Sequence, residues 1–174
     1  MQLVADDLAQ EVLRVFKTVQ HHEWVSLHAA QKELTLKSRK PDQQMIDRAK
    51  MILARPDTAT PYHRHEKTYA QRTLQMLELP DQTDVIIQTF RVCDLGIAAI
   101  PFETFSETGL EIKAKCPYKA AFTIELANGA NGYLPTPEQH KLGGYETWLG
   151  TNRVETEASV KIVDTILQLF AQMK

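Results

Sequence analysis

At 174 residues the chain is long enough to bury a sizeable core, and residues 1–174 read as a single domain. Hydrophobic residues make up 43% and charged residues 24%, close to the average for globular domains, and a formal net charge of −2 gives no electrostatic reason to expect nucleic acid or an anionic membrane surface as a partner. The longest apolar runs, Gly96 to Ile100 and Ala120 to Phe122, fall far short of the ~20 residues a membrane span needs. Met1 to Asp7 shows no basic stretch followed by an apolar one, so no secretory signal is read there and localisation stays open. Two cysteines, Cys93 and Cys116, are too few for a disulfide framework and lack the close His or Cys neighbours of a zinc site, which leaves packing roles for both.

Leu8, Val12, Val15, Phe16 and Val19 recur at helical spacing, so the opening segment is expected to be an amphipathic helix docked on a sheet or another helix. After a polar stretch holding His21 and His22, Glu33 to Lys37 alternates polar and apolar residues as a half-buried strand does. Pro41 stands where a second helix would begin, with Met45, Ile46, Ala49, Ile52 and Leu53 as its buried face. A Pro- and Thr-rich linker, Arg55 to Pro61, leads into a helical pattern from about Glu66 to Leu79 that Pro80 closes.

Val85 to Val92 and Ile97 to Ile100 have strand composition and are expected to form an antiparallel hairpin through the turn Asp94-Leu95-Gly96. Thr104 to Lys115 is expected to be a helix between Pro101 and Pro117, and Ala121 to Leu126 a buried strand followed by the turn Asn128-Gly129-Ala130-Asn131-Gly132. Asn152 with Glu155 resembles a capping box with Asn in place of Ser or Thr. In the helix it would start, Ser159, Ile162, Val163, Ile166, Leu167, Phe170 and Met173 fall on one stripe. Strands and helices interleave throughout, which predicts an α/β layered sandwich with a mixed sheet flanked by helices.

Two stretches have the composition of a site. In Ile100 to Gly109, Glu103 stands at the junction of a buried strand and a helix, where a carboxylate either caps the helix N-terminus or faces a crevice as a metal ligand or general base. In Ala127 to Thr136, glycines free the backbone for close approach to a ligand, and Tyr133 offers a phenol oxygen either to a cation or substrate or to nearby backbone. His140 and the Tyr145-Glu146-Thr147-Trp148 stretch either line the same crevice or lie on the surface. His63 and His65 form an H-x-H pair, but Arg64 between them and the polar linker around them argue against a metal site. Neither a Gly-rich phosphate loop nor a G-x-S-x-G elbow is present, so nucleotide transfer and α/β-hydrolase chemistry have no support.

At these stretches the sequence resembles the neutral/alkaline, non-lysosomal ceramidase family, more closely its shorter bacterial ceramidase-like members. The matching segments are Phe90 to Gly96, Pro101 to Gly109, Asn128 to Thr136 and Pro137 to Trp148, so the likeness covers most of residues 85 to 174 and, more loosely, the region before. In that family an acidic residue in a P-G-E-x-T-T-x-x-G segment, and a tyrosine five residues after an Asn, complete a zinc site. By this motif Glu103 and Tyr133 match two metal ligands, with Asn128, His140 and Tyr145 as implied substrate-binding residues. Phe102 stands in place of the usual glycine and Phe105 at a Thr position.

The implied reaction is hydrolysis of the amide bond of ceramide, a small lipid amide, with zinc as cofactor. The family's histidine ligands and nucleophilic serine lie in segments without counterpart here, so no catalytic nucleophile is assigned. The resemblance therefore implies the C-terminal portion of a larger catalytic domain, inactive by itself, whose partner is the missing N-terminal half. An exposed apolar face left by that half would drive homo-oligomerisation. The alternative is a non-enzymatic binding or scaffold domain that keeps the fold without the chemistry.

Overall fold

The computed structural model describes residues 1–173. Two long strands, β1 (Leu27–Lys37) and β2 (Gln82–Val92), pair antiparallel along their whole length, from Leu27 opposite Val92 to Lys37 opposite Gln82. A two-residue tip, Cys93-Asp94, turns the chain into β3 (Leu95–Ala99), with Cys93 in the left-handed region at φ 51°, as such tight hairpins require. β3 then pairs in parallel with β5 (Ala120–Ile124), completing a mixed sheet of order β1-β2-β3-β5. A parallel neighbour needs a crossover, supplied by α4 (Ser106–Lys115), and two short strands beyond the sheet, β4 (Glu103–Thr104) and β6 (Tyr133–Leu134), form a second parallel pair.

One face of the main sheet is closed by α6 (Ala158–Gln172). Its stripe of Ile162, Val163, Ile166 and Phe170 meets Leu36, Val85, Ile87 and Ala98, all buried in a single apolar cluster. Between β1 and β2 the chain makes a helical hairpin, α2 (Gln43–Ala54) and α3 (Glu66–Glu78), held by Ala49, Ile52 and Ala70. α2 starts where Pro41 indicates, with the Asp42 carboxylate accepting a hydrogen bond from the Met45 N–H as N-cap. The architecture is the expected layered α/β sandwich with a mixed sheet.

The opposite sheet face is open. Ala29, Phe90, Ile97 and Phe122 stand side by side across the four strands, and Phe90 and Phe122 keep 37% and 47% of their surface exposed. The opening helix, α1 (Gln2–Phe16), forms as its periodicity dictates but does not dock: none of its residues is buried. Leu8, Val12 and Phe16 remain exposed. Periodicity marks an amphipathic helix without naming its partner, and the closed face of the sheet is already filled by α6. Among the described residues no helix is long and apolar enough to cross a membrane.

Several boundaries differ from expectation for local reasons. β1 starts at Leu27 rather than Glu33, because β2 holds His28 to Lys32 in register although those residues do not alternate. Leu95 and Gly96 belong to β3, not to a turn, since they pair with Val92 and Arg91. Thr104 lies in β4 and α4 begins at Ser106. The capping box does not form: α6 begins at Ala158, the Asn152 side chain is buried in another set of hydrogen bonds, and Glu155 accepts from the Lys37 N–H and Lys161. Cys93 is exposed at the hairpin tip rather than packed, while Cys116 lies against the core.

Phe170→Ala is expected to destabilise the domain by about 3–5 kcal/mol, the cost of an aromatic-sized hole in a closed core. Deleting residues 1–16 is expected to leave the urea midpoint of the remainder unchanged, since α1 buries nothing against it. Urea unfolding followed by circular dichroism measures both.

Candidate functional site

The adjacent strands β3 and β5 run in the same direction, and the chain leaving each one enters the β4–β6 pair. Glu103 is thereby registered directly opposite Tyr133. Registered residues of a parallel pair send their side chains to one side of the ribbon. Backbone bonds fix the arrangement: the Glu103 N–H donates to the Gly132 carbonyl at 3.0 Å and the Tyr133 N–H to the Thr151 carbonyl at 3.1 Å. Gly132 has φ +88°, and a Cβ there would lie 2.6 Å from the Thr151 oxygen, so only glycine fits between the two segments. Asn131 closes the approach by donating to the Pro101 carbonyl from both its backbone N–H and its Nδ2, each at 3.0 Å.

The Tyr133 hydroxyl lies 3.0 Å from that of Tyr145, with the two rings edge to face at 82°. Its pKa is pushed well above the usual phenol range, first by the hydrogen bond with Tyr145 and then by hydrogen bonding to the Glu103 carboxylate. Tyr133 therefore stays protonated in neutral solution, and its oxygen shares one side of the ribbon with the Glu103 side chain. Glu103 does not cap α4, whose N-cap is Phe105 without a side-chain bond. A carboxylate and a phenol so placed are two oxygen donors for a cation, or a proton-holding pair around a polar substrate.

Behind them stands a buried amide. Asn152, 1% exposed, donates from Nδ2 to the Tyr133 carbonyl at 3.0 Å and accepts at Oδ1 from Arg39 Nη1 at 2.8 Å. The same Nη1 donates to the Thr147 carbonyl at 2.7 Å, so Arg39 ties the 3₁₀ turn Tyr145–Thr147 to the Tyr133 strand. Neither Arg39 nor Asn152 stands out in the sequence. The Asn152/Glu155 spacing that resembles a cap was the only local signal, and it points to a different use of the same side chain.

The remaining candidates are dispersed. His140 lies on a short helix, α5 (Pro137–Leu142), which Thr136 caps by accepting from the Gln139 N–H. Its Nε2 is buried without a partner among the described residues, and burial, with a smaller push from the Arg39 charge, lowers its pKa. Asn128, at φ 63°, donates from its side-chain amide to Gln88 on the open sheet face. The rings of His63 and His65 are 6.0 Å apart, with His63 edge-on to Trp148 at 5.8 Å. Among the described residues no three His, Cys, Asp or Glu side chains gather as a metal-binding group.

No protein-family model matches the sequence, and no curated protein matches it. Solved structures superpose on it. The neutral ceramidase from Pseudomonas aeruginosa superposes with a TM-score of 0.55 at 13% identity, over 85% of this chain and 28% of that one. A ceramidase complexed with C2 superposes with a TM-score of 0.48 at 18% identity, over 52% of this chain and 15% of that one. The chain thus has a ceramidase-like fold and spans little more than a quarter of the length of the longer match.

Because the folded-state pKa of Tyr133 lies above its unfolded value near 10, its bonds contribute stability that is fully present below pH 10 and lost as pH rises through the folded value. Tyr145→Phe is expected to move the Tyr133 ionisation back toward pH 10 and to reduce this alkaline loss. Ultraviolet phenolate titration of the two proteins is the measurement.

Proposed function

We propose that this chain is the C-terminal portion of a ceramidase-like, zinc-dependent amide hydrolase, with Glu103 and Tyr133 as two of the metal's protein ligands. The observation that carries the reading is the registration of Glu103 directly opposite Tyr133 in the parallel β4–β6 pair, which supports the two motif-matched residues acting on one ion. The fold likeness to a neutral ceramidase supports the class.

The donor count supports the remainder. A catalytic zinc keeps three protein ligands and an open position, and Glu103 and Tyr133 supply two. The others, and the nucleophile, would come from an N-terminal portion. The open apolar sheet face is consistent with this, because a layer containing parallel strands is ordinarily covered on both sides.

Bound zinc would supply Lewis acidity to the substrate amide carbonyl and to the attacking oxygen. This chain's own residues would hold and orient: Glu103 balances the cation's charge, Tyr133 presents a phenol held in its protonated form, and Tyr145 fixes the direction of that phenol. The substrate class is an N-acyl amide of lipid type. On this reading the chain alone has no turnover.

Co-expression with a histidine-bearing N-terminal portion of the same protein is expected to give a complex that retains zinc and cleaves an N-acyl amide. Glu103→Gln or Tyr133→Phe in that complex is expected to lower zinc retention by about 100-fold or more, since even second-layer partners of a ligand cost 10–100-fold. Zinc content measured by atomic absorption decides the matter: unchanged values in both variants overturn the assignment and leave a non-enzymatic binding or scaffold domain.

A further inference from the structure

A sizeable concavity of the molecule is lined by neither Glu103 nor Tyr133. It lies between the α2–α3 hairpin and the Thr147-Trp148-Leu149 segment, with a volume of about 540 Å³, within the usual range of small-molecule sites. Met45, Ile52, Tyr69 and Trp148 give it an apolar and aromatic wall, with Tyr69 and Trp148 packed edge to face at 4.7 Å. Arg39 and Arg48 are the two arginines among its lining residues.

The charges of this cavity are unbalanced. The only carboxylate in its wall, Glu66, is already held by Arg55 at 3.0 Å. Among the described residues no carboxylate lies within ion-pair distance of Arg39 or Arg48. Arg39 is half-buried, and its two hydrogen bonds, to the Thr147 carbonyl and Asn152, both leave from Nη1. Among the described residues its Nη2 and Nε make no hydrogen bond. A partly desolvated guanidinium with free donors in a fixed fork, beside an apolar wall, is suited to a planar anion carrying a hydrocarbon body.

We propose that this cavity binds an amphiphilic carboxylate of fatty-acid type, its head paired with Arg39 and Arg48 and its chain lying against Met45, Ile52, Tyr69 and Trp148. The site needs neither the metal nor an N-terminal portion, so it stands apart from the reading of Glu103 and Tyr133. It abuts that site all the same, since Arg39 reaches Tyr133 through Asn152.

Trp148 lies in the cavity wall, and the only other tryptophan, Trp24, is exposed and far along the chain, so a Trp24→Phe background makes Trp148 the sole reporter. Titrating that protein with dodecanoate is expected to change the Trp148 emission saturably, with 1-dodecanol and dodecyl phosphate as head-group comparisons. Dodecanoate is expected to bind at least about tenfold more tightly than 1-dodecanol, the scale of a charge-assisted hydrogen bond. Arg39→Gln is expected to remove that preference, and Arg48→Gln, at an exposed position, to reduce it without affecting folding. Equal affinity for the acid and the alcohol, tighter binding of the phosphate than of the carboxylate, or no saturable change overturns the proposal. Glu103→Gln and Tyr133→Phe are expected to leave dodecanoate affinity within twofold, which separates this test from that of the metal reading.

Discussion

The parallel pairing of β3 with β5 is the constraint from which the candidate site follows. An antiparallel return would bring the chain back at the far end of the neighbouring strand, and the segments after the two strands would part company. Because α4 carries the chain over and β5 restarts alongside β3, both exits emerge at the same edge and pair again as β4 and β6. Gly132 makes this second pairing sterically feasible, letting the Glu103 strand and the Thr151 carbonyl approach the same backbone from two sides. The site is therefore a property of topology first and of residue choice second.

A second layer of control lies in the buried amide of Asn152. A polar side chain at 1% exposure is costly unless both ends are satisfied, and here one end bonds the Tyr133 carbonyl and the other Arg39. Arg39 in turn holds the Thr147 carbonyl, and through it the turn that carries Tyr145. The position of the second tyrosine thus depends on a guanidinium more than a hundred residues earlier in the chain, and the same arginine lines the cavity beside the α2–α3 hairpin.

Much of the architecture was legible because periodicity reports burial. The α6 stripe of Ile162, Ile166 and Phe170 reads directly from spacing, and those residues are the floor of the core. The hairpin of β2 and β3 and the helix opened by Asp42 after Pro41 read equally well. Short motifs single out Glu103 and Tyr133 as candidates, and their mutual registration is what the strands add. What could not be read is long-range. His28 to Lys32 become strand only through β2, Asn152 has the local look of a cap but serves two distant segments, and α1 carries a stripe whose counterpart is not specified by the stripe. Local patterns state what a residue prefers; partners distant in sequence decide which preference is met.

The open side of the sheet also sets how the polypeptide behaves as a material. β3 and β5 have apolar side chains on both surfaces, the make-up of strands enclosed above and below, yet Phe122 of β5 and Phe90 of the neighbouring β2 face water here. The attraction between such surfaces weakens on cooling and strengthens with excluded salts such as sulfate. Any contact made through those aromatic rows would accordingly loosen in cold, sulfate-free buffer and tighten on warming or salting out.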